Sequence, residues 1–399
     1  MTALSVVDVG VLDVATGAVT DGPVHVVDGV VAGIGGSAGG GSATVVSGRG
    51  GVVVPGLIDA HFHAYGVELD MVRLETWPLS YVALRGARRL EAALRRGFTT
   101  VRDPAGGDAG LAAAIDRGVI AAPRYLWTGP ALSQTGGHGD PRPGDGDLQC
   151  CHHHATEVVD GVDALRVAVR DRFRRGAHAI KIMTSGGVVS LTDPIRIPQY
   201  SPEEVSAVTG EAARRGSYVA AHAYSPEAIR HSVENGVRSI EHGNLLDAAT
   251  AALMAEHGAF LVPTLATYDA MDRRGEEIGM AAVSRAKNRE VLESGRHAVE
   301  LARAAGVRIG FGTDLMGELE SEQLEGLRLQ VEVEGPLATL QAATTVNAAL
   351  IGRPDLGVVR EGAPADLLVL DANPVEDPAV LWAGPDRRTV VHAGRVVAG

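Results

Sequence analysis

Short apolar runs ending in polar residues recur through the middle of the chain, at residues 53–58, 99–102, 125–132, 179–183, 218–221, 237–240, 259–262 and 307–312. Each reads as a strand. Segments with helical patterning separate them, at 80–96, 162–175, 203–215, 227–235, 248–257 and the long 281–305. Ser201-Pro202-Glu203-Glu204 forms a capping box with proline at the first helical position, and Ser225-Pro226-Glu227 opens the next helix in the same way. Eight strands alternating with helices predict an α/β fold, a (β/α)8 TIM barrel over residues 56–355. The two ends of the chain differ from this middle. Candidate strands at 4–9, 24–27 and 30–34, with Asp28-Gly29 as a hairpin turn, precede a loose Gly/Ser loop at 35–41. Strands at 366–370 and 389–392, with Ala393-Gly394 as a turn, close the chain. The expectation is one small β-sandwich domain built from residues 1–55 and 356–399 together.

In a barrel of this kind chemistry sits at the C-terminal ends of the strands. The first apolar run, Val54-Pro55-Gly56-Leu57-Ile58-Asp59-Ala60, ends in His61-Phe62-His63. Alternate side chains of an extended chain share a face, so the two imidazoles point the same way and are free to hold one metal ion. A lone His-x-His pair is weak evidence, because such pairs are commonly surface or core histidines. The remaining strand ends supply the partners. Lys181 lies in Ala179-Ile180-Lys181-Ile182-Met183, where a free ammonium among apolar neighbours is costly unless paired. His222 ends the fifth strand, His242 the sixth, and Asp314 follows the eighth in Gly310-Phe311-Gly312-Thr313-Asp314. Taken singly, His222 fits a core histidine, His242 a turn before Gly243, and Asp314 a helix cap. Together they place four histidines, a lysine and an aspartate around one mouth. The Gly-, Pro- and His-rich connection 129–161 reads as a lid or substrate wall.

Composition narrows the function. The 399 residues are 45% hydrophobic, enough for a large core, and only 4% aromatic, which disfavours a base-stacking surface. The formal charge of −13 repels phosphate backbones and anionic membranes, so neither nucleic acid nor membrane is an expected partner. No apolar run reaches spanning length and no signal pattern opens the chain, which points to a cytoplasmic protein. The two cysteines, Cys150 and Cys151, are adjacent and bond to each other only with strain. With His152, His153 and His154 they make a dense cluster that reads as a solvated loop, since no second ligand pair of a structural zinc site accompanies it.

The ordered motifs Pro55 to His63, Thr135-Gly136-Gly137-His138-Gly139-Asp140, Ile180-Lys181-Ile182-Met183-Thr184-Ser185-Gly186-Gly187-Val188-Val189-Ser190, Val219 to Tyr224, Ser239-Ile240-Glu241-His242-Gly243-Asn244, Val262 to Tyr268 and Gly312 to Asp314 give the chain its likeness. It resembles the amidohydrolase superfamily over nearly its whole length. Within that superfamily it is most similar to the imidazolonepropionase-like members that act as prolidases, or Xaa-Pro dipeptidases. The resemblance implies two divalent metal ions, with zinc suited to the imidazole and carboxylate donors. His61, His63 and Asp314 would bind the more buried ion and His222 and His242 the second, with Lys181, carbamylated, as the bridging ligand. It also implies attack by a metal-bridged hydroxide, with Asp314 as the catalytic proton shuttle to the leaving nitrogen.

The implied substrate is a small molecule, a dipeptide or N-acyl amino acid with a free carboxylate, and Xaa-Pro leads. His138, on the third loop, and Tyr224, on the His222 face of its strand, are the candidate substrate binders. Asp193 and Arg196 read as solvated loop charges. Release of a basic or aromatic amino acid from an amide, and lactonase or phosphotriesterase chemistry on the same six ligands, are the alternatives. A mononuclear deaminase or cyclic-amide hydrolase shares the histidines and Asp314 but has no need of Lys181. A non-catalytic homologue is expected to have lost ligands, and none is lost here. Homo-oligomerisation is left open.

Overall fold

The computed structural model describes residues 2–36, 43–142, 154–191 and 193–399. Cys150 and Cys151, with His152 and His153, lie outside the described residues. Ten short parallel strands form two hydrogen-bonded ladders. One has seven strands in the order Thr156–Val158, Ala131–Ser133, Ile180–Met183, Val219–Ala223, Ser239–His242, Phe260–Val262 and Arg308–Ile309. The other holds Leu57–Asp59, Phe98–Asp103 and Arg124–Trp127. Single backbone bonds bridge the two ladders. The Ala60 amide donates to the Phe311 carbonyl at 2.9 Å, and the His178 amide to Trp127 at 2.8 Å. Asn347 fills the seam between first and last strands. Its Nδ2 donates to the Ile58 and Phe311 carbonyls at 2.8 and 2.7 Å, so this buried amide is satisfied. The arrangement is TIM-barrel-like.

Two of the expected strands are each broken in two, for local reasons. Residues 53–58 divide at Pro55-Gly56. Pro55 closes the strand Thr44–Pro55 of another sheet, and a Cβ on Gly56 would meet Thr99 Oγ1 at 2.2 Å. Residues 125–132 divide at Gly129-Pro130, where Gly129 has a φ of 75° and Pro130 cannot donate to a ladder.

The helices fall close to their expected spans: Leu79–Arg95, Val162–Arg174, Pro202–Arg214, Pro226–Glu234, Ala248–Glu256 and Ala282–Ala304. The Ser201 capping box is formed in both directions, and Ser225 caps Ala228. Leu165, Val169, Val205, Val208, Ile229 and Val299 on these helices pack against Ile180, Ile182, Val219, Ile240 and Leu261 of the strands. Outward-facing strand residues thus pack against the helices, while Ile58, Ala179, Phe260 and Val262 on the opposite face form a second apolar cluster with Ala348, Leu350 and Ile351.

The termini form one hydrogen-bonded sheet of eight strands; the two facing sheets of the expected sandwich are not what its hydrogen bonding describes. Thr44–Pro55 runs parallel to Ala3–Leu12 and antiparallel to Leu367–Leu370, so both chain ends share it. Asp28-Gly29, with φ of 49° and 82°, and Ala393-Gly394, with 47° and 75°, turn the expected hairpins. Among the described residues no helix is long and apolar enough to cross a membrane.

Candidate active site

All eight candidate residues, His61, His63, His138, Lys181, His222, Tyr224, His242 and Asp314, line one cavity at the C-terminal ends of the parallel strands. The strand register explains the convergence. Lys181 stands opposite Ala220, His222 between Met183 and Glu241, and His242 opposite Ala223, which sets the donors side by side on neighbouring strands. Strand ends also carry the local strain. His242, Thr264 and Asp314 have φ of 75°, 47° and 53°, values that L-residues seldom adopt and that concentrate at functional sites.

The rings stand close together. His61 lies 5.0 Å from His63 and 5.0 Å from His242, and His222 lies 4.6 Å from His242, centroid to centroid. His138 stacks on His222 at 4.2 Å. Asp314 reaches into the group. Its Oδ1 lies 2.8 Å from His63 Nε2 and 3.4 Å from His61 Nε2, and its Oδ2 is 3.8 Å from His242 Nδ1. Donor atoms of His61, His242 and Asp314 all lie within 4.8 Å of one another, a spacing compatible with one cation.

Electrostatics favour cation ligation. Burial pushes the imidazoles of His61, His222 and His242 well below their usual range, so all three are neutral donors. His63 behaves otherwise: burial lowers it, but Asp103 and Asp314 outweigh that and lift it to about 9. Burial opposes ionisation of Asp314, yet His61, His63 and Lys181 hold it below its ordinary value, so it is a carboxylate. Lys181 is 2% exposed, its Nζ has no hydrogen-bond partner among the described residues, and burial brings its amine down to about 8.

A second layer holds the ligands. Glu241 Oε2 is 2.7 Å from His61 Nδ1, leaving Nε2 to face the cavity. Glu241 is paired with the guanidinium of Arg102 at 2.7 Å, and both side chains are fully buried. Asp103, 3.6 Å from His63 Nδ1, also accepts from Tyr125 Oη at 2.7 Å and from the Ala64 amide at 3.0 Å. His242 Nδ1 meets Thr264 Oγ1 at 2.8 Å. Tyr224 and Tyr268 join hydroxyls at 2.8 Å.

Sequence reasoning missed Arg102, Glu241, Asp103, Thr264 and Tyr268. The argument that singled out Lys181, a cation inside an apolar strand, applies equally to Arg102. The reading of Asp193 as a solvated charge is corrected: it is 4% exposed and accepts from the Gly187 amide at 3.0 Å. Arg196 does lie at the surface, paired with exposed Glu290 at 2.7 Å.

Comparison with known proteins fixes the family. The amidohydrolase family model matches residues 52–397. The chain belongs to the amidohydrolase family. It is 36% identical to ochratoxinase of Aspergillus niger over 377 residues, 87% of this chain and 76% of that protein. Its fold superposes with a TM-score of 0.97 on a crystal structure of a prolidase complexed with N-methylphosphonate-L-proline, at 43% identity and with both chains fully covered. A Xaa-Pro dipeptidase with bound methionine is similar at a TM-score of 0.88 and 29% identity, again over the full length of both. This amidohydrolase is therefore a hydrolase of amide bonds in the prolidase-like subgroup, acting on a small molecule.

Proposed function

We propose that this amidohydrolase is a Xaa-Pro dipeptidase with two divalent metal ions, zinc best suiting its donors. The observation that carries the reading is Lys181. A buried, partnerless amine amid His61, His63, His222, His242 and Asp314 is costly as it stands. With its ordinary charge weakened, it is a fit nucleophile for CO2, and two cations would stabilise the carbamate. The neutral imidazoles and the Asp314 carboxylate fit divalent cations of the zinc type. His61, His63 and Asp314 would hold one ion and His222 and His242 the other, with Lys181 between. Bound there, the ions would acidify a water and polarise the scissile carbonyl.

The chain's own residues do the rest. Asp314 takes a proton from the attacking water and delivers it to the leaving nitrogen, which an amide requires. Its side chain is 19% exposed, enough to face both ligands and substrate. Tyr224, held protonated by burial, offers its O–H to the substrate carboxylate while Tyr268 donates to it. His138, stacked on His222, faces the same end. Val188, Met271 and Tyr268 give the cavity an apolar wall that suits a proline ring.

That wall also favours a second reading, release of an aromatic residue from an amide conjugate. A basic leaving residue is disfavoured, because Asp314 is the one carboxylate lining the cavity among the described residues. A dipeptide library with zinc-loaded enzyme tests the proposal. Turnover of Xaa-Pro above Xaa-Arg, Xaa-Phe, N-acyl-Phe, lactones and organophosphates is expected. Preference for N-acyl-Phe supports the second reading, and turnover of lactones or phosphotriesters alone overturns both.

A further inference from the structure

The segment after the Ile180–Met183 strand forms one wall of the cavity without strand or helix of its own from Gly186 to Val189. Its fixation comes from elsewhere. The helix Ala282–Ala304 sends Lys287 into it, and Nζ donates to the carbonyls of Gly187, Ser190 and Asp193 at 3.0, 2.9 and 2.7 Å. An ammonium has three donors, and these three carbonyls use them all. Asp193 Oδ1 lies 3.8 Å away and adds its charge. Lys287 itself does not line the cavity.

What this clamp holds is the face turned to the substrate. Val188 and Val189 line the cavity. Ser190 Oγ lies 2.8 Å from His138 Nδ1, and Asp193 Oδ2 lies 3.9 Å from the same atom. Asp193 also accepts from Gln199 Nε2 at 3.3 Å, and Gln199 Oε1 receives the His138 amide at 3.0 Å. The packing is tight: a Cβ on Gly187 would fall 2.0 Å from the His138 ring. A shift of this segment would therefore move His138 and the apolar wall together.

We propose that Lys287 is a positioning residue for substrate specificity: by clamping the carbonyls of Gly187, Ser190 and Asp193 it holds His138 and the Val188-Val189 wall in the geometry that grips the substrate. The proposal rests on the reading of this cavity as the substrate site. It separates Lys287 from the candidate metal ligands: Lys181, His222 and His242 sit on strands, His61, His63 and Asp314 just past strand ends, and the hydrogen bonds of Lys287 Nζ go to none of them.

The test is steady-state kinetics of metal-loaded Lys287→Met on the best dipeptide found for the wild type, below the melting temperature of both proteins. KM should rise about tenfold or more, with kcat within about threefold and the metal content unchanged, since the lost contact orients substrate and not the reacting atoms. Lys287→Gln, which keeps two N–H donors on a shorter stem, should give a smaller rise in KM and guards against a fold defect in the first variant. A lower melting temperature with unchanged KM in both variants overturns the proposal and leaves Lys287 merely structural. His138→Ala is the companion. If it leaves KM unchanged, the assignment of His138 as a substrate contact fails, whatever Lys287 does.

Discussion

At one end of the site His61 Nδ1 meets the fully buried carboxylate of Glu241 at 2.7 Å, itself paired with Arg102, and His63 Nδ1 faces buried Asp103 at 3.6 Å. At the other end His222 Nε2 meets only the Gly186 carbonyl at 3.1 Å, and His138 Nδ1 the Ser190 hydroxyl at 2.8 Å. The first pair is backed by the side chains of Glu241 and Asp103, both anchored in strands. The second is backed at hydrogen-bond distance by a carbonyl and a hydroxyl on a loop, with Asp193 Oδ2 farther off, 3.9 Å from His138 Nδ1. A buried charge pair breaks only at high cost, so it fixes a ligand rigidly and raises its basicity. A loop hydroxyl can be shifted cheaply. One end is held rigidly, while the other, where His222 would serve the second ion, is freer to adjust around a substrate.

Perturbing the two ends should separate these roles. Asp314→Asn, at the centre of both, has the largest expected effect: kcat should fall about 10²- to 10⁴-fold as the proton shuttle is lost, with far less change in KM, read by steady-state kinetics. Glu241→Met comes next. It strands the Arg102 guanidinium, and chemical denaturation should show a loss of about 3–5 kcal/mol together with weakened metal retention against a chelator. The double variant Arg102→Met/Glu241→Met should recover much of that stability without recovering metal retention. At the softer end Ser190→Ala should leave both stability and metal content unchanged and raise KM severalfold. If Ser190→Ala sheds metal as readily as Glu241→Met does, the contrast between the ends collapses.

The smallest effect is a control outside both ends. Burial lifts the Glu334 carboxyl to about 7, against Gln330 and Arg303, which lower it. The folded state thus binds a proton that the unfolded state has released above about 4.5. The stability it contributes is full below that value and is lost as the pH rises through 7. Glu334→Gln should raise the unfolding free energy at pH 8 by an amount on the order of 1 kcal/mol, read as a higher melting temperature, and do nothing at pH 4.

Much of this was legible in the sequence because the signals are local. His61-x-His63, His222, His242 and Asp314 stand at or just past the ends of apolar runs, Lys181 stands inside one, and the order of strands was enough to bring them to one mouth. Helix starts at Ser201 and Ser225 and hairpin turns at Asp28-Gly29 and Ala393-Gly394 are written in a few adjacent residues. What was not legible depends on partners far apart. Arg102 and Glu241 are 139 positions apart and meet only because their strands converge. Asp193 looks like a surface charge until Lys287, from a distant helix, closes over its loop. The strand Thr44–Pro55, which joins the two termini into one sheet, was legible only from residue 53 onward, because Gly48, Gly50 and Gly51 interrupt its apolar pattern.

The central claim is that Lys181 makes this a two-metal site. The direct measurement is the number of metal ions per chain in wild type and in Lys181→Ala, taken alongside hydrolysis of a Xaa-Pro dipeptide. The account expects two ions per wild-type chain, and loss of both the second ion and the dipeptidase activity in Lys181→Ala with the fold intact. One ion per wild-type chain, unchanged in Lys181→Ala, would contradict it.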